Sequence, residues 1–409
     1  MARLPRPSGR LLGFIAGTLL VAYGAATSAA VNVFHTKLPA VALSIDSDDP
    51  VALVRNAQID LAAGDMPAGG NDAILGIVRR SVSDQPINAP AFRLYGLASA
   101  TNADLPGVRE QMAVSERMER RDAAAQLWLI EDAVQRNDVA AALRHYDTAL
   151  RIEQSTRAVL YPVLTDALES ETIRERFVPY MQAPPPWLES FLRFAVSNTR
   201  DPVAVADLAR LSGGFPDGAA YSSLDRELLT QLVASEDYEA AIAHYARIGA
   251  ADQSVPRTLA LTGESTSEAY SPITWQQFSI EGIEPFVLAS PAGEGRVEIE
   301  AEMEAGYSGP VARKLIALKP GRYAFTANLR SDDFGTQDRG SWRIVCPAST
   351  GAAPLVDAEF DFEETIEIGA GFTVPAGCPV QLVLVSAATM VRSGYVTLVL
   401  AEARLVPAS

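Results

Sequence analysis

Histidine and cysteine are scarce in this chain of 409 residues, which contains three histidines (His35, His145 and His244) and two cysteines (Cys346 and Cys378). This scarcity argues against a metal site built from cysteine and histidine, and it leaves few histidines that could act in catalysis. Lysine and arginine together number 34 against 50 acidic residues, for a net charge of −16. Because phosphate binding needs clustered cations, this balance argues against a nucleic-acid partner.

Catalytic and cofactor-binding motifs are also missing. The closest approach to a G-x-S-x-G nucleophile motif, Gly306-Tyr307-Ser308-Gly309, is one residue short. The glycine-rich stretches at Gly69 and Gly369 lack the lysine or the strand–turn–helix context of a phosphate-binding loop. We therefore expect no enzymatic activity, no cofactor and no metal ion.

The N-terminus carries the features of an export or anchoring segment. Residues 1–10 contain three arginines and no acid, and residues 11–34 contain no charged side chain. About 24 helical residues are enough to cross a bilayer, so we predict a single-pass helix in a bacterial inner membrane with the bulk of the chain in the periplasm. A cleaved signal peptide is the alternative, with the small residues 27–30 as the cleavage site and a soluble periplasmic product.

Residues 49–250 show the spacing of apolar residues that is typical of short amphipathic helices. The clearest stretch, Gln126–Arg151, contains two apolar stripes, formed by Leu127, Ile130, Ala133 and Val134 and then by Ala142, Tyr146, Ala149 and Leu150. This stretch resembles a tetratricopeptide repeat, with Ala142 as the small residue of the second helix, Tyr146 as its aromatic and Ala149-Leu150 as its closing pair.

Further copies of this pattern follow the repeat period of about 34 residues. Gly96 takes the small position one period before Ile130, and Ala241 and Tyr245 repeat the roles of Ala142 and Tyr146. The resemblance implies a degenerate helical solenoid of this family, whose surface binds a protein partner. His145 and His244 precede the aromatic residue in their copies, which predicts a place on the repeat surface for both.

From about residue 254 the apolar pattern changes from a helical period to the alternation of strands. In Arg296–Glu304, four apolar residues alternate with Glu298, Glu300, Glu302 and Glu304, for which we predict a solvated outer face, with structural calcium as a weaker alternative. Other strand candidates are Trp275–Ile280, Val311–Leu318, Arg322–Leu329, Trp342–Cys346, Asp357–Ile368, Val380–Val385 and Val396–Leu405. They predict an antiparallel β-sandwich over residues 270–409, after a linker at 251–269.

Segments of this sandwich resemble the jelly-roll modules that bind carbohydrate in other proteins. That resemblance implies a polysaccharide ligand and aromatic side chains that stack on its sugar rings. The preferred candidates are Tyr307, in a loop flanked by glycines, and Trp342, which the alternation Trp342-Ile344-Cys346 equally places in the core. Trp275, Phe334 and Tyr395 are further aromatic candidates.

Taken in order, the chain is predicted to be a multi-domain α plus β protein. It resembles exported repeat proteins of alphaproteobacteria that are associated with exopolysaccharide production. The resemblance implies a non-enzymatic scaffold that serves polysaccharide synthesis or export by binding protein; the alternative is a carbohydrate-binding protein that uses the sandwich. In an oxidising compartment Cys346 and Cys378 are predicted to form a disulfide, the alternative being two buried thiols.

Overall fold

Helices occupy the first part of the chain and strands the last part in the computed structural model, which describes residues 9–65, 67–100, 105–249, 251–293, 295–348 and 353–408. The helices are α1 (Gly9–Phe34), α2 (Pro39–Ile45), α3 (Pro50–Ala63), α4 (Gly70–Asp84), α5 (Ala89–Ala100), α6 (Leu105–Met118), α7 (Ala123–Gln135), α8 (Val139–Ile152), α9 (Arg157–Ala167), α10 (Glu171–Gln182), α11 (Leu188–Asn198), α12 (Pro202–Ser212), α13 (Leu224–Ala234) and α14 (Tyr238–Tyr245). The strands are β1 (Gln276–Gln277), β2 (Ile283–Ala289), β3 (Val297–Glu304), β4 (Ser308–Ile316), β5 (Gly321–Asp332), β6 (Arg339–Val345), β7 (Val356–Asp361), β8 (Ile366–Val374), β9 (Gln381–Ala388) and β10 (Tyr395–Pro407). This confirms the α plus β class.

The contacts divide the chain into two units, Met1–Leu160 and Tyr161–Ser409. The second unit therefore contains helices as well as the sandwich. The segment predicted as a linker, residues 251–269, is packed rather than free, because Leu259 and Leu261 belong to the sandwich core. Secondary structure changes near residue 250, as the sequence indicates, whereas the division by contacts lies about 90 residues earlier.

Helix α1 covers the segment predicted to anchor the chain. Its C-terminal end packs against the first unit, where Val31 shares a small apolar cluster with Ala42 of α2 and Ala52 of α3. Within the part of the chain that the structure describes, no helix is long and apolar enough to cross a membrane, and the predicted transmembrane span is not found there.

Small residues lie where neighbouring helices of the first unit come together. Gly96 of α5 is buried, and a Cβ atom there would lie 3.0 Å from Cε of Met112 in α6, so glycine allows the two helices to approach. Ala142 of α8 packs with Ala133 of α7 in the same way, while Tyr146 and Ala149 are also buried. These side chains occupy the helix contacts that the sequence predicts; that the pairs form a tetratricopeptide array stays a prediction.

The first predicted stripe of α7 is only half correct. Ile130 and Ala133 are buried, but Leu127 is 38% and Val134 53% exposed. The two exposed residues are seven positions apart and therefore lie on one side of the helix, turned away from the contact with α8. The sequence pattern identifies apolar residues but does not show that the helix buries only part of them.

The first helices of the second unit choose different packing partners from those of the first unit. Helix α10 ends at Gln182, just before the run Pro184-Pro185-Pro186, which cannot lie inside a helix. Trp187 then packs against Phe177 and Phe191. Here α10 packs mainly on α12 and α11 on α13, instead of each helix on its immediate successor. This choice of partner differs from the sequential pairing of α5 with α6 and of α7 with α8 in the first unit. In α14, Ala241 and Tyr245 are buried as predicted.

Two five-stranded antiparallel sheets form the C-terminal sandwich. Sheet A has the order β1-β4-β9-β6-β7, and sheet B has the order β2-β3-β10-β5-β8. Most predicted strands are confirmed, but β2 was not expected, and the single strand predicted at Asp357–Ile368 is divided into β7 and β8 by a turn at residues 362–365.

The core between the sheets is built around three aromatic rings in contact. Phe325 of sheet B lies nearly parallel to Trp342 of sheet A, with ring centroids 5.4 Å apart, and Trp275 meets Trp342 edge-on at 5.9 Å. At one end of sheet A, the predicted disulfide Cys346–Cys378 is confirmed, with the two Cα atoms 5.7 Å apart. Closing a loop of this length stabilises the fold by roughly 3.5–4 kcal/mol in the chain-entropy model.

A lysine is buried in the same sandwich. Lys314 lies between Ala312 and Ile316 on the core side of β4, and its Nζ donates a hydrogen bond to the carbonyl oxygen of Ile273 at 2.7 Å. Burial disfavours the charged amine and lowers the pKa of Lys314 to about 7.

Replacing Ala142 with tryptophan is expected to destabilise the first unit by about 1–3 kcal/mol or more, because the added ring overpacks the contact between α7 and α8. The matched control is Ala140→Trp, at an exposed position two residues earlier in the same helix. Urea unfolding followed by circular dichroism measures both. Equal losses for the two variants would contradict the packing of Ala142.

Lys314→Met is expected to remove a pH dependence of stability. Because the folded-state pKa lies below the unfolded value of about 10.5, the unfolded chain binds the extra proton between about pH 7 and pH 10.5, and stability rises with pH across that window. Below pH 7 both states carry the proton and the penalty is complete. The difference in unfolding free energy between the parent and Lys314→Met should therefore change by up to about 1.4 kcal/mol per pH unit from pH 7 to 10.

The exposed Lys319→Met serves as the control for that experiment, and its difference from the parent should stay constant over the same range. A constant difference for Lys314→Met as well would show that this amine is not held in a desolvated site.

Candidate functional site

The outer face of sheet B presents acidic and aromatic side chains along its β2 edge. Because Ile299, Ala301 and Met303 of β3 lie in the core, the glutamates that alternate with them face outward. Across the pair β2–β3, Glu284 lies opposite Glu302 and Phe286 opposite Glu300. On the other side of β3, Tyr395 of β10 lies opposite Glu304.

Two aromatic side chains are exposed on this face. Phe286 is 41% and Tyr395 56% exposed. The alternation of β10 explains the second, since Val396 and Leu398 point into the core and Tyr395 must point the other way. Strand spacing and rise place the backbones of Phe286 and Tyr395 about 16 Å apart, on two sides of β3.

A pocket of about 370 Å³ lies at the Tyr395 end of the face. Its walls are Tyr395, Glu302, Glu304, Glu284 and the turn Ile280–Ile283. The turn closes with a hydrogen bond from the N–H of Ile283 to the carbonyl oxygen of Ile280, and it needs glycine at position 282, where φ is +85°. The aromatic ring and the carboxylates thus line one concave surface.

The charge of the pocket is uncompensated. Glu284 and Glu302 are directly opposed on neighbouring strands, an arrangement of like charges that destabilises a sheet. No ion pair joins Glu284, Glu302 or Glu304 to another residue in the described part of the chain. A local cost of this kind is typical of functional sites, where a sequence departs from what stability alone would select.

Glu298 differs from the other three glutamates and corrects the prediction that all four are solvated. It is 4% exposed, accepts a hydrogen bond from Ser290 Oγ at 3.0 Å and pairs with Arg330 at 2.6 Å. It lies opposite Leu288, and the ion pair with Arg330 of β5 reaches across β10, so neighbours cover it on both sides. Of the four, only Glu304 at the far end of β3 is exposed, and Glu300 and Glu302 are half-buried.

Buried polar contacts fix the loop that leads into Tyr395. Asp338 accepts hydrogen bonds from the N–H groups of Gly335 and Met390, each at 2.7 Å, and pairs with Arg392 at 2.8 Å. Burial alone would raise the pKa of Asp338, but the hydrogen bonds from Arg392, Met390 and Gly335 hold that pKa below its usual value. The loop residues 389–394 are therefore tied to the β5–β6 connection, and the start of β10 is fixed.

This arrangement can bind a neutral, hydroxyl-rich ligand. An exposed aromatic face offers apolar contact to one side of a sugar ring, and carboxylate oxygens accept hydrogen bonds from hydroxyl groups. Within the described residues, no group of three or more histidine, cysteine, aspartate or glutamate side chains could hold a metal ion.

Tyr307, the preferred aromatic of the sequence analysis, is not exposed. Its ring folds back over Gly309, and its hydroxyl donates a hydrogen bond to the carbonyl oxygen of Pro310 at 2.6 Å. The N–H of Thr389 bonds the Tyr307 carbonyl at 2.8 Å, so the 389–394 loop also covers this segment. The prediction that a ring between glycines points into solvent is therefore wrong here.

Trp342 and Trp275 are also unavailable, because both rings lie fully in the sandwich core. The indole N–H of Trp342 has no hydrogen-bond acceptor among the described residues, although a buried indole N–H usually has one. Phe334 is partly exposed, but it lies in the loop between β5 and β6 and not on the face of sheet B. Tyr395 is thus the one sequence candidate that lies on this face; Phe286 was missed because β2 was missed.

The two helical histidines occupy different environments, although the repeat pattern predicts a surface position for both. His145 is half-buried, with Nδ1 at 2.8 Å from Oε1 of the buried Gln126. Burial lowers the pKa of His145. His244 is buried, with its Nε2 at 2.9 Å from Asp225 of α13, and this corrects its predicted surface position. The contact between α13 and α14 covers it.

No known protein family matches the chain, and no curated protein does. Among solved structures, a CBM4 structure is similar at 10% identity, with 35% of this chain and 92% of that chain covered. TmCBM61 in complex with β-1,4-galactotriose is similar at 13% identity over 34% and 90%, and the CBM22-1 xylan-binding domain of Paenibacillus barcinonensis Xyn10C at 8% over 38% and 96%. Each TM-score is 0.25.

Proposed function

We propose that the C-terminal sandwich binds a neutral polysaccharide on the outer face of sheet B, between Phe286 and Tyr395. The observation that carries the proposal is the exposure of these two aromatic rings on one face, with a pocket of carboxylates at the Tyr395 end. The separation of about 16 Å between the backbones of the two residues suits an oligosaccharide and exceeds what a single sugar ring could bridge. The uncompensated carboxylates favour neutral over anionic glycans, which they would repel.

The wider role that we propose is non-enzymatic and outside the cytoplasm. The disulfide Cys346–Cys378 supports an oxidising compartment, where such bonds persist. An exported protein that holds a glycan chain on a rigid sandwich face would serve the production or export of exopolysaccharide by binding it. Thiol alkylation of the folded protein, recovered from the cell envelope without reductant, tests the compartment: two reactive thiols would contradict it.

Tyr395→Ala and Phe286→Ala are each expected to weaken polysaccharide binding by about tenfold, because each removes the stacking contact of one sugar ring. Affinity electrophoresis against soluble xylan, β-glucan and galactan finds a ligand, and isothermal titration with the matching oligosaccharides then measures the loss. Tyr395→Phe retains the ring and should keep most of the affinity.

Val406→Ala is the matched control, since Val406 is exposed at the opposite end of the same strand. It should bind as the parent does. Binding by Tyr395→Ala and Phe286→Ala at parental strength, or no binding of any neutral polysaccharide by the intact protein, would refute the proposal.

A further inference from the structure

A second concave surface lies in the unit Tyr161–Ser409, where the start of α14 meets the disulfide end of sheet A. This cleft has a volume of about 510 Å³. One wall is the α13–α14 turn and the first turns of α14, from Glu236 to Ala243. The other wall consists of Pro347 and Pro379 with their following residues, and each of these prolines directly follows a cysteine of the disulfide.

The charge of the cleft has one sign. Glu236, Asp237 and Glu239 lie along its helical wall, and none of its lining residues is basic. Arg313, a base near Tyr238, is engaged elsewhere: its Nε bonds Gln276 at 2.6 Å and its guanidinium lies over the ring of Phe278. The three carboxylates therefore attract cationic groups into the cleft.

Glu236 occupies a backbone position that disfavours glutamate. Its φ is +64°, a left-handed conformation in which asparagine or glycine is favoured. The corresponding turn between α7 and α8 makes the same pair of backbone hydrogen bonds and contains Asn137 there, with φ +56°. A carboxylate is thus kept at the mouth of the cleft at a cost in backbone energy.

The apolar surface of the cleft is shaped for an extended chain. Pro347 and Pro379 have no N–H to donate, and Tyr238 contributes a half-buried ring. On the helical wall, Ala240 and Ala243 have short side chains that leave the cleft open. Grooves lined by aromatic residues bind proline-rich segments in the polyproline II conformation, whose backbone needs no regular pairing partner. The disulfide holds the two proline segments together and so keeps this wall in place.

From charge complementarity and shape, we propose that this cleft docks an extended segment of a partner protein that is rich in arginine and proline. Arginine side chains pair with Glu236, Asp237 and Glu239, and the intervening prolines pack on Tyr238 and on the two prolines of the opposite wall. The site is separate from the outer face of sheet B and does not depend on glycan binding.

The test uses the full chain and a fluorescein-labelled peptide of four Arg-Pro dipeptides, with a Ser-Pro peptide of equal length as the uncharged comparison. Fluorescence anisotropy should detect the Arg-Pro peptide at low salt, with affinity that falls as ionic strength rises. The double variant Glu236→Asn, Glu239→Gln should weaken binding at least about fivefold. Its control is Glu169→Gln, Glu171→Gln, which removes the same charge from exposed positions around α10.

Thermal unfolding of Glu236→Asn separates binding from folding. Asparagine suits the left-handed position, so this variant should unfold at the same or a higher temperature while its affinity falls. The proposal is overturned by any of three results: no binding of the Arg-Pro peptide, equal binding of the Ser-Pro peptide, or equal affinity of the double variant and its control.

Discussion

The packing of the rest of the sandwich depends on the contact between Phe325 and Trp342. Phe325 comes from sheet B and Trp342 from sheet A, and their nearly parallel rings fix the spacing of the two sheets. Trp275 brings the segment before β1 into the same layer, edge-on to Trp342. The inward side chains around this layer are buried, and a binding function is left to outward side chains. This is why Trp275 and Trp342, two of the aromatic candidates for sugar stacking, are structural.

The sequence predicts the alternation of strands well, because period-two patterns depend only on the local chain. It predicts the relation between strands less well. The ladder Glu298–Glu304 shows which residues share a face, but only the sheet shows that Glu298 is covered and paired with Arg330 while Glu302 lines a pocket. Strand β2 is not predicted because Pro285 and the apolar run Phe286-Val287-Leu288 interrupt the alternation of apolar and polar residues that marks a strand. The turn at residues 362–365 contains neither glycine nor proline, so β7 and β8 look like one strand.

The same limit applies to the helices. Small residues at Gly96 and Ala142 mark helix contacts correctly, since close approach of two helices excludes larger side chains. The histidines before the two aromatic residues look equivalent in sequence, yet His244 is covered by α13 and His145 is only half-buried. The spacing of residues in the sequence identifies one pair of helices. The burial of a side chain also depends on which further helix packs on that pair, and the choice of packing partner changes after residue 160.

The two proposed binding sites, one on sheet B and one beside sheet A, use different physical interactions. The outer face of sheet B binds through exposed rings and through carboxylates that accept hydrogen bonds from neutral hydroxyl groups, so its affinity should depend little on ionic strength. The cleft beside sheet A binds through the attraction between three carboxylates and cations, which salt screens. In a chain whose net charge is −16, both sites repel anionic ligands such as uronate-rich glycans. A neutral glycan and a cationic protein segment could therefore occupy the same molecule together, because neither ligand competes for the contacts of the other.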